Sequence, residues 1–135
     1  MKVEVGTQVP PLEIPSVDEQ KMKTMAALLR DPYPIHWDAK GNEQMGIKGK
    51  VVNQGPLNLS YLVNMLMKWQ GQDCIRRLTV DFTGWVLGGD NLTACGKVVE
   101  ISAGSDTRLA RCEIWLERQG ERLLEGEAII ALPVD

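Results

Sequence analysis

The sequence predicts an α+β fold in which an antiparallel sheet curls around one long, nearly all-apolar helix. Two observations carry this prediction. Between Pro56 and Trp69, the side chains of Leu57, Leu59, Tyr61, Leu62, Val63, Met65, Leu66, Met67 and Trp69 cover most of a helix's circumference, and a helix so apolar must be enclosed on most sides. The half of the chain that follows alternates apolar and polar residues with period two, the mark of antiparallel strands packed on one face.

Taken in order, residues 3–15 read as an extended entry, because Gly6 and the pair Pro10-Pro11 exclude a helix. Ser16-Val17-Asp18-Glu19 matches a capping box, with Ser16 at the N-cap and Glu19 three residues on, so a first helix is expected over residues 17–29. Met22, Met25, Ala26 and Leu29 recur at three- and four-residue spacing and form its expected buried face. Pro32 ends that helix, and residues 38–50, rich in Gly, Lys, Asn and Glu, read as a surface loop or a short irregular helix at the rim of a cleft. Gly55-Pro56 starts the apolar helix, since proline is favoured at a first helical turn, and Gly71 and Asp73 end it. Ser60, Asn64 and Lys68 form its one polar stripe.

In the second half, Leu78, Val80 and Phe82 alternate with Arg77, Thr79 and Asp81, and Ala110, Cys112, Ile114 and Leu116 alternate with Arg111, Glu113, Trp115 and Glu117. Gly88-Gly89-Asp90-Asn91 and Gln119-Gly120-Glu121 supply turns, and residues 123–132 close the sheet. A sheet of this kind wrapped around a helix is a hot-dog arrangement. With no repeat, low-complexity segment or linker, residues 1–135 are expected to form a single domain. Ala128-Ile129-Ile130-Ala131 is apolar on both faces, and as an unpaired edge it would favour sheets joined edge to edge in a homodimer.

Composition narrows the function. An apolar fraction of 44% describes a globular protein, and a net charge of −3 with no basic cluster argues against nucleic acid or an anionic membrane as partner. No apolar run approaches the ~18 residues of a membrane span, and Met1-Lys2-Val3-Glu4 lacks a signal-peptide core, so a cytoplasmic location is expected. Cys74, Cys95 and Cys112 are odd in number and widely spaced, which suits reduced structural thiols. One histidine and no CxxC offer no recognisable metal ligand set, and no cofactor is expected.

The stretch Arg30-Asp31-Pro32-Tyr33-Pro34-Ile35-His36-Trp37-Asp38 places the only histidine five residues after an aspartate, on a segment stiffened by two prolines. A stiff segment can hold a catalytic pair. Spacing alone leaves open a structural His36 that caps or fills a pocket.

Several stretches resemble the MaoC-like dehydratase family, which includes (R)-specific enoyl-CoA hydratases and (R)-3-hydroxyacyl-ACP dehydratase subunits. Val5-Gly6-Thr7-Gln8-Val9-Pro10 resembles its entry strand, and Asp31 to Asp38 is similar to its Asp-x-Asn-Pro-Ile-His loop. Phe82-Thr83-Gly84-Trp85-Val86-Leu87-Gly88-Gly89-Asp90-Asn91-Leu92 resembles its Phe-x-x-x-Val-x-Pro-Gly-Asp-x-Leu hairpin, and residues 118–133 resemble its last two strands. The resemblance implies a dimeric hot-dog protein with Asp31 and His36 as catalytic dyad. It also implies a thioester carbonyl held by the amide of Gly55, where Asn53-Gln54-Gly55 stands for the family's Ala-His-Gly. Arg30 replaces a common Gly, and Tyr33 a usual Asn, which would place a bulky ring beside the dyad and bear on substrate size.

The implied chemistry is reversible hydration of trans-2-enoyl thioesters of CoA or acyl carrier protein to (R)-3-hydroxyacyl thioesters. Such a reaction needs a base for water, an acid for Cα and a donor for the enolate oxygen, which neutral His36, ionised Asp31 and the Gly55 amide would supply. Two alternatives are a hot-dog acyl-CoA thioesterase and one subunit of a heteromer with another hot-dog chain. Other residues carry double readings. Tyr33 and Trp37 either pack or stack on substrate, and Trp85 and Trp115 are expected on sheet surfaces. Lys48 and Lys50 are either a solvated pair or cations that meet CoA phosphates.

Overall fold

A computed structural model describes residues 2–103 and 106–133. In chain order it contains strand β1 (Gln8–Ile14), helix α1 (Glu19–Leu29), a 3₁₀ turn (Pro34–His36), helix α2 (Ala39–Gln44) and helix α3 (Gly55–Gln70). Strands β2 (Ile75–Phe82), β3 (Leu92–Ala103), β4 (Arg108–Arg118) and β5 (Glu121–Leu132) follow. The five strands form one antiparallel sheet in the order β1-β3-β4-β5-β2. Helix α3 touches every strand, as the wrapped arrangement requires.

Alternation in β4 is realised in full: Ala110, Cys112, Ile114 and Leu116 are all buried. They form one core with Leu62, Met65 and Leu66 of α3 and with Leu124, Ala128 and Ile130 of β5. A two-residue turn, Gln119 (φ 49°) and Gly120 (φ 81°), joins β4 to β5 with the left-handed pair that a tight hairpin prefers. In β1 the register shifts between Val9 and Leu12, where Pro10 and Pro11 have no N–H for the ladder.

Four expectations are corrected. Helix α1 starts at Glu19 with Asp18 as its N-cap, whose carboxylate accepts from the Gln20 amide at 2.8 Å. Ser16 does not cap, because Val17 is tied across the β2–β3 connection: its N–H donates to Asp90 and its carbonyl accepts from Gly89. Along α1 only Met22 is fully buried, and Leu29 lies exposed.

Strand β5 is not an edge, since β4 and β2 flank it. The edges are β1 and β2. Finally, α3 is enclosed on one side rather than most. Leu57, Asn58, Leu62, Met65 and Leu66 are buried, while Leu59, Val63 and Met67, at four-residue spacing, form a half-buried flank. Asn64 and Lys68 are exposed, as a polar stripe should be.

Trp115 stands on β4 with the Arg122 guanidinium stacked 4.1 Å from its ring centroid. Trp85 lies instead in the connection between β2 and β3, half exposed.

Candidate active site

Arg30 closes α1 in the left-handed region (φ 52°), where glycine is favoured, and its N–H bonds back to the last turn. The chain then leaves the helix with the Asp31 amide donating to Ala26, and Pro32 prevents a return to helix. Pro34 opens the 3₁₀ turn that ends on His36. The Asp31-to-His36 segment is thus anchored at both ends.

The His36 side chain is 10% exposed and that of Asp31 46%. Nδ1 of His36 lies 2.7 Å from the carbonyl oxygen of Val52. That oxygen can only accept, so Nδ1 carries a proton, which leaves Nε2 as the nitrogen able to offer a lone pair. Nε2 faces Oδ2 of Asp31 at 3.9 Å, beyond direct hydrogen bonding. The other carboxylate oxygen, Oδ1, accepts from the Tyr33 amide at 3.2 Å, which orients the carboxylate. The Tyr33 ring stands edge-on to His36, with centroids 6.3 Å apart, and is half exposed. An apolar cleft of about 410 Å³ reaches His36 between Ala26, Ala27, Pro32 and Trp37.

Val52 belongs to the segment leading into α3. Its N–H donates to Ile35, and the segment is pinned on its other side by a bridge to Leu87 and by the Gly88 amide on the Val51 carbonyl. Asn42 of α2 adds two bonds of 2.8 Å from its side-chain amide, to the carbonyls of Ile35 and Lys50. These contacts hold the His36 loop against the entry of α3.

Gly55 is the first residue of α3, which no side chain caps. Pro56 has no N–H, so the amides of this positive helix end that lie outside the helical ladder are those of Gly55 and the buried Leu57. A Cβ on Gly55 would stand 3.2 Å from the Phe82 ring, so that ring walls one side of the glycine. Gly55 follows Val52 by three residues, which span at most roughly 10 Å of extended chain.

Asn53 and Gln54 are buried, and their side chains brace the fold behind Gly55. The Asn53 side-chain amide donates to Asn58 at 2.8 Å and to the Tyr61 hydroxyl at 3.2 Å. Gln54 donates to the Met22 carbonyl of α1 at 2.7 Å. Burial pushes the Tyr61 phenol above its ordinary value, opposed by the bond from Asn53 and reinforced by the Asp18 carboxylate.

Two contributors had no signal in the sequence. Val52 acts through a backbone carbonyl, and the approach of Phe82 to Gly55 depends on how β2 ends. A wider cleft, about 760 Å³, runs between β1 and α3 beside Tyr61 and Lys68 and is lined by neither Asp31 nor His36. Among the described residues no cluster of His, Cys, Asp and Glu could hold a metal ion, and no helix is long and apolar enough to cross a membrane.

Comparison with known proteins gives a consistent picture. The family model for the MaoC like domain matches residues 3–113. Among solved structures, the R-hydratase PhaJ1 from Pseudomonas aeruginosa superposes with a TM-score of 0.84 at 25% identity, over 98% of this chain and 84% of that one. An (R)-hydratase from A. caviae involved in PHA biosynthesis gives a TM-score of 0.80 at 25% identity, over 97% of this chain and 98% of that one. The ChsH1-ChsH2 complex from Mycobacterium tuberculosis shares the fold at 16% identity, with a TM-score of 0.81 over 98% of this chain and 100% of that one. No match is found among curated proteins.

Proposed function

The chain belongs to the MaoC-like domain family, and we propose that it catalyses the reversible hydration of trans-2-enoyl thioesters to (R)-3-hydroxyacyl thioesters. The observation that carries the reading is the 3.9 Å gap between Nε2 of His36 and Oδ2 of Asp31, with the proton of the ring committed to Val52. Two acceptors at that separation can each take one hydrogen of a single water about 2.8 Å from both. Similarity to two proteins described as (R)-hydratases supports the same reading.

In this mechanism the dyad removes a proton from the shared water as its oxygen bonds to C3 of the enoyl thioester. The electron pair of the C2–C3 double bond moves onto the thioester carbonyl, giving an enolate. The Gly55 amide donates to that oxygen, aided by the positive end of α3. A proton from the dyad then adds to C2, so H and OH arrive from one water and on one face. Dehydration is the same path reversed. The thioester is one of CoA or of acyl carrier protein, and this path calls for no metal or organic cofactor.

The protein acts as an oligomer in this proposal, either a homodimer or a heteromer with a second hot-dog chain. Along the edge strand β2, Leu78 and Val80 are only half buried, and so is the α3 flank of Leu59, Val63 and Met67. An unpaired edge with that much half-covered apolar surface is what a second sheet would seal. A stable monomer in sedimentation at micromolar concentration would contradict the homodimer.

The direct test of activity uses crotonyl-CoA. Hydration removes the enoyl absorbance without releasing free thiol; thiol release at the same rate would make the chain a thioesterase.

A further inference from the structure

The cleft of about 410 Å³ that reaches His36 runs from the last turns of α1 to the indole of Trp37, and is lined by Lys23, Ala26, Ala27, Pro32, His36 and Trp37. We propose that Trp37 is a specificity-determining residue and that this cleft selects thioesters whose acyl group carries a planar hydrocarbon ring, laid against the indole. The inference rests on the hydratase reading for the ligand being an acyl thioester, and goes beyond it in naming the class of acyl group.

Trp37 is held in place but not covered. Its Nε1 donates to the Pro32 carbonyl at 2.9 Å and its backbone amide to the Pro34 carbonyl at 3.0 Å, yet the residue is 53% exposed. A tryptophan that served only to pack would bury most of its large apolar surface. Here the one polar atom of the ring is bonded and half of the residue stays open. The bond orients the ring before any ligand arrives, so a planar group can meet it at little cost in side-chain entropy.

The α1 side of the cleft is built from small residues. Ala26 and Ala27 follow one another near the end of the helix, the first half-buried and the second exposed, and neither side chain extends beyond a methyl group. Larger residues there would fill the space beside the indole. The Ala26 carbonyl accepts the Asp31 amide at 3.0 Å, which ties this wall to the loop that carries the dyad and Trp37.

The chemistry of the lining is apolar. Pro32 has no N–H, and its carbonyl is taken by Trp37. No carboxylate lines the cleft. Asp31 accepts from the Tyr33 amide and faces His36, and Glu19, one turn before Lys23, lies against Gly88. Lys23 is exposed, so its ammonium stays in water. Such a lining favours hydrocarbon over a polar or charged acyl group, because nothing in it would replace the lost hydrogen bonds to water. A straight chain also gains from burial here. Only a planar ring gains from the indole face as well, by roughly fivefold in affinity.

The test compares two saturated thioesters that have no double bond to hydrate, 5-phenylpentanoyl-CoA and octanoyl-CoA, by calorimetry on the purified chain. The phenyl ligand is expected to bind about fivefold more tightly. Trp37→Leu keeps an apolar wall without the planar face and should bring the ratio of the two affinities close to one. Ala27→Leu places a longer side chain in the cleft and should lower the same ratio. Ala27 is exposed on a helix and leucine is a good helix former, so this variant keeps the fold even where the first does not. The ratio also cancels any general loss of affinity. Hydration of crotonyl-CoA reads the reaction separately: a Trp37-dependent ring preference without hydration would support the cleft's selectivity and remove the hydratase reading. Binding of the phenyl ligand no tighter than that of octanoyl-CoA, or a ratio unchanged in both variants, would overturn the proposal whether or not crotonyl-CoA is hydrated.

Discussion

His36 donates from Nδ1 to the carbonyl oxygen of Val52 across sixteen residues of sequence, at 2.7 Å. That one bond joins the loop that carries the candidate base to the segment that enters α3. It also decides which ring nitrogen is free, and it places Nε2 toward Asp31. Asp31, His36 and Gly55 therefore belong to one connected unit, with Asn42, Leu87 and Gly88 bracing the segment from outside.

Gly55 should be more sensitive in catalysis than in folding. A methyl group there would meet a half-exposed Phe82 ring that can give by a few tenths of an ångström, so Gly55→Ala should change the melting temperature by only a few degrees. In the proposed mechanism the same methyl would crowd the amide that donates to the enolate oxygen. Loss of one such donor costs about 10²–10³ in turnover, and we expect at least about tenfold from crowding it. Parallel loss of stability and activity would make Gly55 a structural glycine.

Gln54 should matter to stability. Gln54→Ala removes the 2.7 Å bond between the start of α3 and the Met22 carbonyl of α1 and empties a fully buried side-chain site, while the Met22 carbonyl keeps its place in the α1 ladder. A hydrogen bond of this kind contributes about 0.5–1.5 kcal/mol, and the emptied site adds to the loss. Urea unfolding should show that loss; an unchanged midpoint would mean that the tether contributes nothing.

The thiols predict a response to alkali. Burial pushes Cys112 up to about 11, with nearby Cys74 adding to it. Cys95 also rises to about 11, through burial and the Glu117 and Glu13 carboxylates, against the Arg122 cation. An unfolded thiol ionises near about 8.5, so the unfolded state loses its protons first. Stability from these groups is whole below that value and falls as pH rises toward 11. Urea midpoints at pH 8 and pH 10 should differ, and Cys112→Ala should narrow the difference.

Much of the architecture was legible because it rests on periodicity. The apolar helix, expected to end near Trp69, ends at Gln70, and the β4 alternation predicts burial residue by residue. Failures came where a distant segment claimed a local group. Ser16 and Glu19 form a good capping box by sequence, but the backbone of Val17 is committed to Gly89 and Asp90, so the helix waits for Asp18.

Strand order is likewise a property of pairing partners: β5 looks like an edge by position and is covered by β2, which comes earlier in the chain. At the candidate site, Asp31 and His36 could be named from their spacing and family resemblance. Their orientation could not, since it comes from a main-chain carbonyl that any residue at position 52 would supply.

The central claim is that Asp31 and His36 act on one water, and kinetics of the two side chains alone and together test it most directly. Asp31→Asn and His36→Gln keep nearly the same shapes, so both variants should retain the native circular dichroism. A group acting in general acid–base catalysis contributes about 10²–10⁴-fold. Each single variant should therefore lose at least about 10²-fold in kcat for enoyl-CoA hydration, and the double variant should be little worse than the poorer single one, because the pair works as a unit. Hydratase activity retained in both single variants, with the fold intact, would contradict the account and leave His36 as a buried structural residue.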